Sequence, residues 1–288
     1  MVAPAGAIGA AEEETLEDHH RGRDRSRRAG RGIGSKALGI YAVLAFIYLF
    51  LPIMWIVVFS FNNPTGRFNY VWNELTLENW SDPFQDTGLT SAFWNSLKIA
   101  LVSVTIATVL GALMAMALAR YRFKGGSAMD ILLVLPLTTP EIVLGASLLT
   151  LFIDRGQERG FGTIIIAHVL FCLSFVALTV KARIRGFDWS LEDAAMDLGA
   201  SPWRTFRTIT FPLILPGILA AALLSFALSI DDYIITSFVA GSTRTFPLQI
   251  FDSARVQVSP QINVLASMIL GVSVVLLVVT SIFSSRRR

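Results

Sequence analysis

Three carboxylates set in apolar surroundings are the groups in this chain most able to do chemistry. Glu141 stands in T-T-P-E-I-V, and Asp231 with Asp232 in L-S-I-D-D-Y-I-I-T-S-F-V-A-G, where Ser229 shortly precedes the pair. An ionised carboxylate facing hydrocarbon is costly, so such a group turns to a cavity, a partner helix or a transport path. Gathered around one cavity, the three would attract a cationic solute and repel an anionic one. Two other roles stand beside that one. Each acid could simply hydrogen-bond a neighbouring helix, or Asp231 and Asp232 could be the acid/base or metal pair of a membrane-embedded enzyme. Adjacent helical residues project about 100° apart, so the two cannot readily share one metal, and no third ligand is near in sequence.

The remaining reactive residue types narrow the chemistry. His168 is alone in an apolar run and His19 with His20 lies near the start, which gives neither a metal-ligand set nor a histidine-based triad. His168 is expected to be a packed, hydrogen-bonded polar residue. Cys172 is the single cysteine, so an internal disulfide and a multi-thiolate metal site are excluded, and its apolar setting predicts a small buried hydrophobe. The lysines at 36, 98, 124 and 181 complete no G-x-x-x-x-G-K-[S/T] loop, so the chain is not expected to hydrolyse ATP.

A second stretch of unusual character runs from Ser190 to Gly217, S-L-E-D-A-A-M-D-L-G-A-S-P-W-R-T-F-R-T-I-T-F-P-L-I-L-P-G, between two apolar runs. It reads as two short helices with a sharp corner. Ser190 is expected to cap the first, with Asp193 reaching back. Leu191, Ala194, Ala195 and Leu198 form a narrow apolar face, leaving Glu192, Asp193 and Asp197 wet. Gly199 sits where a left-handed residue would end the helix. Ser201 and Pro202 open the second helix, which Pro212 and Pro216 are expected to stop. On physics alone this is an amphipathic connector lying on a lipid surface.

These residues need elements to hold them, and composition says which. With 53% hydrophobic and 16% charged residues and a mean hydropathy of +0.60, the chain reads as an integral membrane protein. Apolar runs of spanning length fall at about 37–61, 93–119, 129–153, 161–182, 213–240 and 262–283, predicting an all-α polytopic fold of six transmembrane helices rather than a barrel. Pro136 and Pro140 predict a broken helix in the third run. Asn95, Ser96 and Gly111 read as tight helix packing.

Residues 1–36 carry seven Lys and Arg with almost no large apolar residue, and are expected to form a disordered basic tail facing anionic lipid. A nucleic-acid arm is the alternative for such a tail, but no reading domain stands behind it, so no nucleic-acid partner is expected. The ends and even-numbered connections hold 18 Lys and Arg against five in the others, which places both termini and the Ser190–Gly217 stretch in the cytoplasm.

The pattern D-A-A, three residues, G, then P-L-I-L-P-G resembles the EAA loop of the permease subunits of bacterial ABC importers. F-W-N-S-L-K-I-A at 93–100 and A-L-A-R-Y-R-F-K-G ending at Gly125 extend the resemblance, which covers essentially 37–283. It departs at Asp193, where the family has Glu; the charge is kept on a shorter stem. The segment from Ser229 to Leu270, including V-S-P-Q-I-N-V-L-A-S, is similar to the polyamine branch of that family.

The resemblance implies a type I ABC importer permease fold at 37–288, in the bacterial cytoplasmic membrane. Its coupling loop to ATPase subunits would comprise Glu192, Asp193, Ala194, Ala195, Gly199, Ala200, Pro212 and Pro216. Its substrate path would include Trp80, Glu141, Ser229, Asp231 and Asp232. It further implies two ATP-binding subunits carrying ATP and Mg²⁺, a second permease, and an extracytoplasmic solute-binding protein, with no cofactor on this chain. A polyamine is methylenes bearing ammonium groups, for which carboxylates and aromatic faces are apt partners. A permease for another amine, an amino acid or a phosphonate shares much of the pattern, and a cation channel would need a symmetric filter that is not evident.

Overall fold

The computed structural model describes residues 34–121 and 123–285. All but the end of the expected basic tail lies outside the described residues, as do Arg122 and Arg286–Arg288 of the charge count. Among the described residues the regular structure is helical, with isolated β-bridges joining Asn62 to Leu75 and Phe68 to Val258.

Helix α1, Gly34–Phe59, is apolar all round, as a segment must be when its own backbone bonds are its defence against hydrocarbon. Residues 59–285 form a separate unit. Its axis is the parallel pair α3, Thr87–Arg120, and α6, Phe161–Ile184, along which contacts advance together from Ile99 and Ile164 to Ala115 and Ile184. They approach closely because Gly111 has no side chain: a Cβ there would lie 2.9 Å from the Val176 side chain. One apolar cluster joins Ile99, Val104, Phe171 and Val239; another joins Ala112, Val180, Ile214 and Ile218. Cys172 is fully buried, as its setting predicts. Ser96 and Asn95 do more than pack. The Ser96 hydroxyl accepts the Phe246 N–H at 2.8 Å, and Asn95 Nδ2 donates to the Arg244 carbonyl at 3.0 Å, so α3 fixes the chain entering α11, Phe246–Ser253.

The six expected runs are all helical, but not all as single spans. Among the described residues, four helices are long and apolar enough to cross a membrane: Lys36–Phe59, Thr87–Arg120, Phe161–Ile184 and Pro202–Asp231. The third run is broken, as its prolines predict, but at Pro140 alone. It is α4, Gly126–Thr138, and α5, Glu141–Asp154, bent by 105° about Pro140, because a proline disfavours the helical conformation of the residue before it. Pro136 stays inside α4.

The fifth run starts earlier than expected, since Pro212 and Pro216 do not stop it. After α8, Pro202–Thr205, the chain takes one π-helical turn over Phe206–Thr210, with the Phe211 N–H bonded to the Phe206 carbonyl, and continues as α9, Phe211–Asp231. The wider turn accommodates a proline ring that would clash in α geometry. The sixth run is helical as α12, Pro260–Ser285, of which Pro260–Val275 is the apolar part described to side-chain level.

Candidate functional site

The Ser190 stretch folds into α7, Ser190–Asp197, but with a different cap and a different face inward. Ser190 does not cap it. The Asp188 carboxylate accepts the Ser190 N–H at 3.0 Å, and hydrogen bonds from Ser190 hold the Asp188 carboxyl below the usual carboxylate range. At the other end Gly199 has φ +85°, and the bonds Gly199 N–H to Met196 O and Ala200 N–H to Ala195 O make a Schellman motif. Ser201 then caps α8 ahead of Pro202, accepting the Arg204 N–H.

Glu192, expected wet, is 3% exposed, while Leu198 of the expected apolar face is 90% exposed. The helix is turned carboxylate-inward because partners wait there. Arg120 Nη1, at the end of α3, lies 2.8 Å from Glu192 Oε2, and the Thr210 hydroxyl donates to Oε1. The Arg120 guanidinium also sits 5.7 Å from the Trp189 ring centroid. A charge-assisted pair with an added hydroxyl donor offsets the desolvation of the acid. Leu191, Asp193, Ala194, Leu198 and Trp203 are left facing outward, while Ala195 and Ala200 are half-buried. The Trp203 ring is stacked on Phe206 at 5.6 Å.

The acids collect at two helix breaks. Glu141 is the first residue of α5, just past the Pro140 bend, and is exposed. Asp231 ends α9, Asp232 is extended with ψ 119°, and α10 resumes at Ile234–Val239. Helices α5 and α10 pack together, so closely at Gly145 that a Cβ would lie 2.6 Å from the Phe238 ring. The two breaks therefore adjoin. Asp231 is exposed and feels the like charges of Asp232 and Glu141.

Asp232 is occupied differently. Its Oδ2 accepts the Thr236 N–H at 2.8 Å and the Thr236 hydroxyl at 2.6 Å. His168, from the middle of α6, places Nε2 2.9 Å from Thr236 Oγ1 and 3.4 Å from Asp232 Oδ2, and Nδ1 2.7 Å from Ser229 Oγ. Ser229 and Asp232 thus share one network with His168 and Thr236, with Asp231 next to it in the chain. Trp80 has other partners. On the one-turn helix α2, Glu78–Ser81, its Nε1 donates to Ser60 Oγ at 3.0 Å and its ring stacks on Phe61 at 5.4 Å.

Sequence reasoning identified His168 as packed and hydrogen-bonded, which it is at 1% exposure, but not its tie to the acid pair. It also missed Arg120 and Thr210 as the partners of Glu192. These contacts join residues 18 to 72 positions apart, and no local pattern announces them. Among the described residues no group of three His, Cys, Asp or Glu is placed to hold a metal ion.

Residues 107–288 match the family described as binding-protein-dependent transport system inner membrane component. The spermidine/putrescine transport system permease protein PotC of Escherichia coli strain K12 is 38% identical over 253 residues, 88% of this chain and 95% of that protein. The putrescine transport system permease protein PotI of the same strain is 39% identical over 240 residues, 81% of this chain and 85% of its own length.

Among solved structures, a bacterial ABC transporter involved in the import of the acidic polysaccharide alginate gives a TM-score of 0.63 at 17% identity, covering 91% of this chain and 97% of that one. An amino acid ABC transporter gives 0.55 at 18%, covering 74% and 100%. At those identities the likeness is of fold alone, and it is the polytopic all-α permease fold. On the family match and the two bacterial relatives together, this chain belongs to the binding-protein-dependent transport system inner membrane component family.

Proposed function

We propose that this multi-pass permease is one of two in an ATP-driven importer of polyamines, and that Glu141 and Asp231 line the path of the cation. The observation that carries the reading is the convergence of these two exposed carboxylates on adjoining breaks in the third and fifth spans. Relatives named for spermidine and putrescine support the cargo class. Interrupted helices are tolerated in a membrane where they face protein or a water-filled path, which is where a polycation needs its counter-charges. Ser229 and Asp232 support the break, and Trp80 belongs to the outer connection, where an extracytoplasmic binding protein would deliver cargo. The coding-region neighbours expected are a second permease, an ATPase and that binding protein.

The energy would enter through α7. An outward Leu191, Ala194 and Leu198 beside the Asp193 carboxylate form a small face suited to a groove on a cytoplasmic ATPase, two copies of which would hold the ATP and Mg²⁺. Buried Glu192 holds that face outward, and Ala195 lets the helix lie close to its support. Gly199 and Ala200 turn the chain, and Pro212 with Pro216 shapes the π-turn that joins the loop to the fifth span. The termini would share that side, by the distribution of Lys and Arg.

Two measurements test this reading. In proteoliposomes containing the complete transporter, Asp231→Asn and Glu141→Gln are each expected to slow uptake of labelled spermidine by about tenfold or more, the equivalent of one charge-assisted interaction. Import by both at the wild-type rate would mean that the acids are structural. For coupling, Gly199→Asp puts a side chain where φ is +85° and a second acid beside the docking face. Copurified ATPase and cargo-stimulated hydrolysis should both fall; unchanged values remove α7 from the coupling path.

A further inference from the structure

The hydrogen bonds around Asp232 have a direction. An ionised carboxylate only accepts, so the single hydroxyl proton of Thr236 goes to Asp232 Oδ2 at 2.6 Å. Thr236 Oγ1 must then accept from His168 Nε2–H at 2.9 Å. Taking the imidazole as neutral, Nδ1 is then the acceptor and Ser229 Oγ its donor at 2.7 Å. The order is Ser229 to His168 to Thr236 to Asp232, and each proton is used once. The four residues come from α9, α6, α10 and the break between α9 and α10, and Ser229, His168 and Thr236 are all buried. The Asp232 side chain is itself only 7% exposed, and its Oδ2 also takes the Thr236 N–H, one of the backbone donors left over where α10 restarts.

From this geometry we propose that Asp232 is a positioning residue and not a counter-ion for cargo. With His168 and Thr236 it locks the break in the fifth span to α6, and so aims the neighbouring Asp231 at the path beside Glu141. The inference rests on the transport reading above and divides its acids into two classes. Asp231 and Glu141 act by charge. Asp232 acts by accepting hydrogen bonds, a task that the amide oxygen of asparagine can perform.

The division sets the test. In the complete transporter, with rates normalised to the amount of assembled complex, Asp232→Asn should import spermidine within about twofold of wild type, the usual scatter of a neutral change. Asp232→Ala and His168→Ala should each fall by about tenfold or more, as expected for a buried network broken at one member. The double variant His168→Ala/Asp232→Ala should be no worse than either single one, because both cut the same chain. Asp231→Asn should lose transport although Asp232→Asn does not. Equal losses for Asp232→Asn and Asp232→Ala would show that charge is what matters at 232 and overturn the proposal.

A second readout does not depend on cargo. In the full chain in nanodiscs with His19→Gln and His20→Gln, ¹⁵N-histidine resonance should show His168 as the Nε2–H tautomer, and Asp232→Asn should retain it. A ring protonated at Nδ1 overturns the chain of bonds. A wild type that imports no polyamine while His168 shows the expected tautomer overturns the cargo reading alone and leaves the lock standing.

Discussion

Arg120→Ala is expected to destabilise the folded chain by about 1–3 kcal/mol, the cost of leaving a buried polar group short of its partner. The asymmetry of the pair makes the effect large. Arg120 is itself 42% exposed and would be hydrated if Glu192 were removed, but the Glu192 side chain is 4% exposed and cannot be hydrated where it lies. What would remain is the Thr210 hydroxyl, which offsets only part of the desolvation of a carboxylate.

Helix α7 should respond by rolling Glu192 outward, which turns Leu191, Ala194 and Leu198 away from their present direction. The unfolding midpoint in nanodiscs checks the stability, and proteolysis of the 186–201 segment checks the roll. Glu192→Gln should be milder, since its amide oxygen can accept from Arg120 while its NH2 donates to the Thr210 hydroxyl, and the buried charge is gone. If Arg120→Ala and Glu192→Gln have equal midpoints, solvation and not the pair sets the face of α7.

The second large effect is expected at Gly241, which follows α10. Its φ is +56°, and a Cβ there would lie 2.3 Å from the carbonyl oxygen of Arg159 and 2.8 Å from its carbon. Two costs add for Gly241→Val. The left-handed conformation costs roughly 1–2 kcal/mol for a residue with a Cβ, and driving a side chain into backbone costs about 1–3 kcal/mol more.

Gly156 separates the two costs, because its φ is +63° with nothing within 4 Å of a Cβ. Gly156→Ala should shift the unfolding midpoint by the conformational cost alone, and Gly241→Ala by clearly more. Equal shifts would show that the 159–160 backbone yields without penalty. Since Gly241 pins the end of α10 to the connection between α5 and α6, the same variant should loosen the acid breaks and lower transport.

Much of the architecture was legible because a bilayer asks a simple question of each segment. Length and hydropathy located every apolar run, and Pro140 announced a break where the structure bends by 105°. Pro212 and Pro216 were misread because the same residue can end a helix or be absorbed by a π-turn, and the outcome rests on whether neighbouring helices hold the chain on course. Glu192 was misread for a related reason. Amphipathic pattern assumes that acids face water, and here Arg120, far away in sequence, makes burial affordable.

By itself, then, the sequence determined the class of molecule, the order of its apolar segments, the corner at Gly199 and the identity of the acids in the third and fifth runs. These rest on hydropathy, backbone conformation and charge, which are properties of residues and their near neighbours. Tertiary structure alone decided which face of α7 looks outward, that the breaks at Pro140 and Asp232 lie side by side, and that Asp232 is bound to Thr236 and linked to His168 while Asp231 stays free of that lock. Those are pairings between groups distant along the chain, and in a medium without water to satisfy them, the available partner sets where each polar group can point.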